Sequence, residues 1–176
     1  MSQIESLTLP GVLEGKASLV GNSVRANLSR CLVVGCCRDR VSMFIEAATS
    51  AGWHAVVTSD LEAASDLLAS SAWALALVDL EGGEVGPATR SGLSQLLERM
   101  AADRSLLVIV CGHHDNSAEE LWVRQLGVWL YLPGVVESSD VAALCGEARL
   151  IAERLQASPN GSSVGVGPPR RQRTKR

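Results

Sequence analysis

Among the residues of this 176-residue chain that could do chemistry, Asp79 stands out because it closes the apolar run Trp73-Ala-Leu-Ala-Leu-Val78. A carboxylate fixed at the end of a buried run can accept a group, hold a cation or cap the next turn. Five cysteines offer a second chemistry: Cys31, the adjacent pair Cys36-Cys37, Cys111 and Cys145. An odd number that includes a vicinal pair makes no disulfide framework, and reactive dithiols take the Cys-x-x-Cys spacing. Cys31 and Cys145 read as small core hydrophobes. Reduced thiols imply a cytoplasmic setting. His113-His114-Asp115 is a third candidate, but adjacent histidines diverge, and the paired ligand spacings of a zinc site are missing. That segment reads as a solvated loop, with no metal assigned. The spacings G-x-G-x-x-G and G-x-x-x-x-G-K-[ST] do not occur, and no histidine has an evident serine partner. No catalytic residue is assigned, and the chain does not read as an enzyme.

The elements that must position these residues alternate regularly. Cys31–Gly35, His54–Val57, Trp73–Val78, Leu106–Val110 and Val128–Leu132 are short apolar runs, the pattern of strands buried on both faces. Between and after them, apolar residues recur at helical spacing: Val41, Phe44, Ile45 and Ala48; Leu61, Ala64 and Leu68; Leu93, Leu96, Leu97 and Met100; Leu121, Trp122 and Leu126; Val141, Leu144, Cys145, Ala148 and Leu155. Ser59–Glu62 and Ser117–Glu120 match the capping box that opens a helix. Five strands alternating with five helices predict βαβ units, and hence an α/β doubly wound parallel sheet. Chemistry in such sheets gathers beyond the carboxyl ends of the strands. Gly35, Cys36 and Cys37 stand there after the first strand, Asp79 after the third, Cys111 and Gly112 after the fourth, Pro133 and Gly134 after the fifth.

Composition divides the chain into an extension over 1–29, a domain over 30–157 and a tail over 158–176. Hydrophobic residues make up 47% of the sequence and charged residues 20%, enough apolar material for one ordinary domain. No apolar run approaches the roughly 20 residues of a membrane span. The opening MSQIESLTLPGVLEG does not read as a secretory signal. The formal net charge of −3 hides an asymmetry, because Arg170, Arg171, Arg173, Lys175 and Arg176 all lie in the tail. The remaining eleven basic residues face nineteen acidic ones, so the body stands near −8. Such a body repels phosphates, and nucleic acid could be met only through the tail, which its Gly, Ser, Pro and Arg composition predicts to be disordered.

Read in order, LVVGCCRDRVSMFIEAATSAGW, ALALVDL, SGLSQLLERM, LLVIVCG and GVWLYLPG resemble the receiver domain of two-component response regulators, from about Leu32 to Leu155. The resemblance implies a flavodoxin-like, five-stranded sheet in the order 2-1-3-4-5. It puts Asp79 at the phosphoacceptor position and Tyr131 at the aromatic of the fifth strand. The sequence departs from the family at the positions that serve that aspartate. Gly35 and Cys36 stand where an acidic pair helps to hold Mg²⁺, Cys111 where a hydroxyl residue is expected, and Gly134 at the place of a lysine. The segment from Asp79 to Gly92 is longer than the family's usual turn. Phosphoryl transfer to a carboxylate depends on metal and cation to neutralise developing charge. The resemblance therefore implies a pseudo-receiver: a cofactor-free signalling module in a two-component or related phosphorelay pathway, working through protein–protein contacts. One alternative is a Mg²⁺-dependent phosphoacceptor at Asp79, with Glu81 and Glu84 helping to hold the ion. Another is a nucleic-acid-associated adaptor that uses the basic tail. Trp122, Trp129 and Tyr131 fall on the fourth-helix and fifth-strand face that receivers use for pairing, so a homodimer or partner contact is expected there. Trp53 and Trp73 flank strands and read as packing.

Overall fold

The computed structural model describes residues 30–81, 86–134 and 137–157. The extension over 1–29, the basic tail over 158–176 and Glu84 lie outside the described residues. The described chain runs β1 (Arg30–Val34), α1 (Arg38–Ser50), β2 (His54–Thr58), α2 (Leu61–Ser70), β3 (Leu75–Asp79), α3 (Pro87–Ala102), β4 (Leu107–Gly112), α4 (Ser117–Gln125), β5 (Leu130–Pro133) and α5 (Ser138–Ala157). The strands form one sheet in the order β2-β1-β3-β4-β5, and every pairing is parallel. This is the doubly wound architecture and strand order that the sequence predicts. No helix among the described residues is long and apolar enough to cross a membrane.

Helices on both faces explain why β1, β3 and β4 are continuously apolar. Alternate residues feed two separate cores. Val33, Leu75, Leu77, Ile109 and Cys111 meet Phe44, Ala47 and Ala48 of α1 and Val141, Cys145, Ala148 and Ala152 of α5. Leu32, Val34, Ala76, Val78, Val108 and Val110 meet Ala64 of α2, Leu93, Leu96, Leu97 and Met100 of α3, and Val123 of α4. The six residues expected at the centre, Leu32, Val34, Leu75, Leu77, Val108 and Ile109, are all buried. Trp53 and Trp73 pack as predicted, donating through Nε1 to the carbonyls of Cys145 (2.8 Å) and Leu67 (2.9 Å).

The details at the element ends differ from the sequence pattern. The α2 cap is Asp60 rather than Ser59: Asp60 is still extended, and its side chain accepts from the Glu62 amide at 3.0 Å. The α4 cap is Asn116 rather than Ser117, accepting from the Glu119 amide at 3.1 Å. Asp, Asn and Ser cap about equally well, so the residue at which the strand-to-helix connection ends decides between neighbours. β4 runs on through Cys111 and Gly112 because β5 offers Leu132 and Pro133 as partners there. The packed stripe of α5 is Val141, Cys145, Ala148 and Ala152, and Leu155 beyond it is 46% exposed.

Candidate functional site

Asp79 is the last residue of β3, and its side chain is fully buried. Oδ1 accepts from Arg40 Nε at 2.8 Å and from the Glu81 amide at 3.3 Å. Oδ2 is buried with no hydrogen-bond partner. Arg40 comes from the first turn of α1, and its Nη1 pairs with Glu81 Oε2. Its guanidinium carbon lies 5.6 Å from the centre of the Phe44 ring, so the cation sits against an apolar floor. One arginine thus joins the end of β3 to the residue two positions beyond it.

Of the residues that the sequence places around Asp79, Gly35 and Cys111 are brought beside it, and neither carries matching chemistry. Gly35 follows β1 and donates its amide to the Thr58 carbonyl at 3.1 Å. A Cβ on Gly35 would lie 3.0 Å from Asp79 Cβ and 3.1 Å from Val41 Cγ2, so a side chain there would have to push these neighbours back by a few tenths of an ångström. Cys36 is exposed, and Cys37 is the half-buried cap residue of α1 without a side-chain cap bond. Cys111 stands opposite Asp79 in the sheet register and is fully buried. Burial, with the Asp79 charge adding to it against Arg40, pushes the Cys111 thiol up to about 12. It is neutral at ordinary pH and neither a nucleophile nor a ligand. Gly134, at φ +57°, donates to the Gly112 carbonyl at 2.8 Å. A Cβ there would be 2.8 Å from the His114 Cβ, so His114 lies where the next side chain would begin.

This donor set does not fit Mg²⁺. The ion keeps most of its waters and needs hard oxygen ligands in near-octahedral geometry. Only Asp79 and Glu81 supply carboxylates here among the described residues, and Arg40 already occupies both. No group of three or more His, Cys, Asp or Glu side chains among the described residues could hold a metal ion. His113-His114-Asp115 accordingly forms no such cluster.

A second polar cluster lies beside this one at the ends of β4 and β5. Glu119, in the first turn of α4, is buried. Its Oε1 accepts from the His113 amide at 2.8 Å and from the Tyr131 hydroxyl at 2.9 Å. Its Oε2 lies 3.0 Å from His113 Nδ1, and because a carboxylate only accepts, the proton sits on Nδ1. Burial, followed by the hydrogen bond to Glu119, raises the Tyr131 phenol above its usual value. The cluster was not singled out from sequence. Its signal was position: Glu119 stands three residues after the capping Asn116, at the third helical position.

Tyr131 is therefore not part of an exposed aromatic surface, contrary to the expectation that grouped it with the two tryptophans. It points inward at 3% exposure, held by Glu119. Trp122 is half-buried; its Nε1 donates to Ser94 Oγ at 3.3 Å, and the Arg90 guanidinium lies 4.5 Å over its ring. Trp129 is 39% exposed, and Leu121 on the same helix–strand unit is 60% exposed.

The sequence matches no family model and no curated protein. Its structure is similar to solved receiver domains. The signal receiver domain of a LuxO repressor protein from Vibrio parahaemolyticus superposes with a TM-score of 0.61 at 13% identity, covering 76% of this chain and 98% of that one. A CheY-like response regulator receiver domain protein from Methanospirillum hungatei gives 0.59 at 15% identity, over 72% and 98%. NtrX from Brucella abortus, solved in complex with ADP, gives 0.58 at 15% identity, over 73% of this chain and 28% of that one. The chain thus has the receiver fold, and it spans little more than a quarter of the NtrX chain.

Proposed function

We propose that the chain is a receiver-like signalling module of the cytoplasm, a pseudo-receiver that acts through protein contacts and needs neither Mg²⁺ nor phosphotransfer. The receiver fold supports the signalling class, and the finer reading rests on the company that Asp79 keeps. The strand ends around it present a tightly packed glycine, a buried neutral thiol and a second glycine. Among the described residues, a phosphoryl group arriving at Asp79 would meet only an arginine already engaged with two carboxylates, and no lysine or further carboxylate to hold a metal that would neutralise its charge.

The contact surface we assign to this module is the α4–β5 side, where Leu121 and Trp129 are exposed beside the half-buried Trp122. Exposed aromatics are over-represented among binding hot spots. The occupant is a homodimer mate or a signalling partner, and Trp129→Ala is expected to weaken association in sedimentation of the full chain.

The phosphotransfer reading is tested directly by incubating the full chain with Mg²⁺ and a small phosphodonor and weighing the intact protein. No mass change is expected. A gain of one phosphoryl group that disappears in Asp79→Asn would overturn the proposal in favour of a working phosphoacceptor.

A further inference from the structure

We infer that Arg40 is a built-in counterion that stands in the place of a divalent cation and keeps metal out of the strand-end site. The inference rests on the reading of this site as one without phosphotransfer, and it accounts for how the charge on Asp79 is met. The Asp79 side chain has no exposure, and a buried carboxylate needs a proton, a metal ion or a cationic side chain beside it. Arg40 Nε provides that partner at 2.8 Å, while Nη1 of the same guanidinium holds Glu81. Both carboxylates brought to this edge among the described residues are therefore taken by one group. A guanidinium does not deprotonate in proteins and, unlike a bound ion, does not come and go with concentration.

Two observations give the exchange its direction. Gly35 brings no carboxylate to the end of β1, and Asp79 Cβ and Val41 Cγ2 close in to within 3.1 Å of where its Cβ would stand, so nothing on β1 shifts the balance towards metal. Asp79 Oδ2, by contrast, is buried without a hydrogen-bond partner. The site therefore still has an oxygen to offer a cation, and what opposes metal is the guanidinium already seated on Oδ1. Removing that positive charge leaves a buried carboxylate that must find another partner, with Glu81 released beside it.

Titration of the full chain with Mn²⁺, with the free ion followed by electron paramagnetic resonance, tests this. Circular dichroism is used to confirm that each variant is folded. Wild type and Arg40→Lys are expected to take up no Mn²⁺ in the millimolar range. Arg40→Gln, with Arg40→Ala as a second neutral variant, is expected to bind one ion at least about tenfold more tightly than wild type. Asp79→Asn added to either neutral variant should abolish that gain. Folded neutral variants that take up no more Mn²⁺ than wild type would overturn the inference, since Asp79 would then be meeting its charge with a proton. Mn²⁺ uptake by wild type that is lost in Asp79→Asn would overturn it as well. Phosphorylation of the wild type sinks the underlying reading. Absence of phosphorylation together with metal-blind neutral variants sinks only the role given to Arg40.

Discussion

Tyr131 is the only tyrosine in the sequence, so its titration can be read directly from tyrosinate absorbance in the near ultraviolet. Its hydroxyl donates to a buried carboxylate, and burial and that bond together raise the phenol above its ordinary 10.0. A group whose folded pKa is raised binds its proton more tightly in the native state. Its stabilising contribution is complete below about 10 and is lost as pH climbs through the folded value. Stability should therefore decline on the alkaline side. Cys31, Cys111 and Cys145 act in the same sense from 9.0 upward, because burial raises all three thiols. Tyr131→Phe isolates the phenol's share. Hydrogen bonds to charged groups contribute about 1.5–3 kcal/mol. In Tyr131→Phe, Glu119 Oε1 keeps the His113 amide at 2.8 Å and is not orphaned, so the lower half of that range, about 1.5–2 kcal/mol, is expected near neutrality. Glu119→Ala removes the acceptor of three donors, the His113 amide, His113 Nδ1 and the Tyr131 hydroxyl, and should cost about 2–5 kcal/mol. Gly112→Ala is an independent probe, because a methyl there would overlap Glu119 Oε1 and the Tyr131 hydroxyl. Its cost should be strongly non-additive with Tyr131→Phe. Urea unfolding at several pH values measures all three variants. A phenol that ionises near 10 with the sheet intact, or a Tyr131→Phe variant as stable as wild type, would refute the account of this cluster.

Two further outcomes check the fold and the thiols. Leu77 is fully buried at the middle of β3, paired with Val33 and Ile109, and Leu77→Ala should cost about 2–5 kcal/mol in urea unfolding; a cost below about 1 kcal/mol would contradict its place in the core. A maleimide added to the native chain should label exposed Cys36 while leaving Cys31, Cys111 and Cys145 unmodified until denaturant is added, and peptide mapping that finds Cys111 labelled in the native state would show its burial to be incorrect.

The sheet was legible because strands buried on both faces must be continuously apolar. The runs ending at Val34, Val78 and Val110 left no other reading, and Asp79 was conspicuous as the charge that closes one of them. The caps were less legible. Ser59 and Asp60 are neighbours of similar capping strength, as are Asn116 and Ser117, and only the point where strand pairing stops selects one. What no local pattern carried was the pairing of residues distant along the chain. Arg40 reads as a solvated charge in the first turn of a helix, yet its partner lies thirty-nine positions away at the end of another strand. Glu119 reads as a favourable N-terminal acid on α4. Its burial depends on Gly112 leaving space and on Tyr131 reaching across from β5, two facts that belong to the sheet register and not to the helix.

Gly35 and Arg40 are linked by charge as well as by space. A carboxylate after β1 would add a negative charge beside Asp79 and favour a divalent ion over a single guanidinium. Gly35 adds none, and its bare backbone lets Asp79 and Val41 close in. Arg40 then meets Asp79 at hydrogen-bond distance from the turn that immediately follows. Arg40 is then shared between Asp79 and Glu81, so one fixed cation meets both carboxylates that this edge presents among the described residues. On the function proposed above, a site held in this way exchanges neither metal nor phosphate, and the fixed guanidinium on Asp79 Oδ1 is what opposes them. That proposed function moves the signal to surfaces such as the one that carries Leu121 and Trp129, and Trp129→Ala is the substitution that tests it.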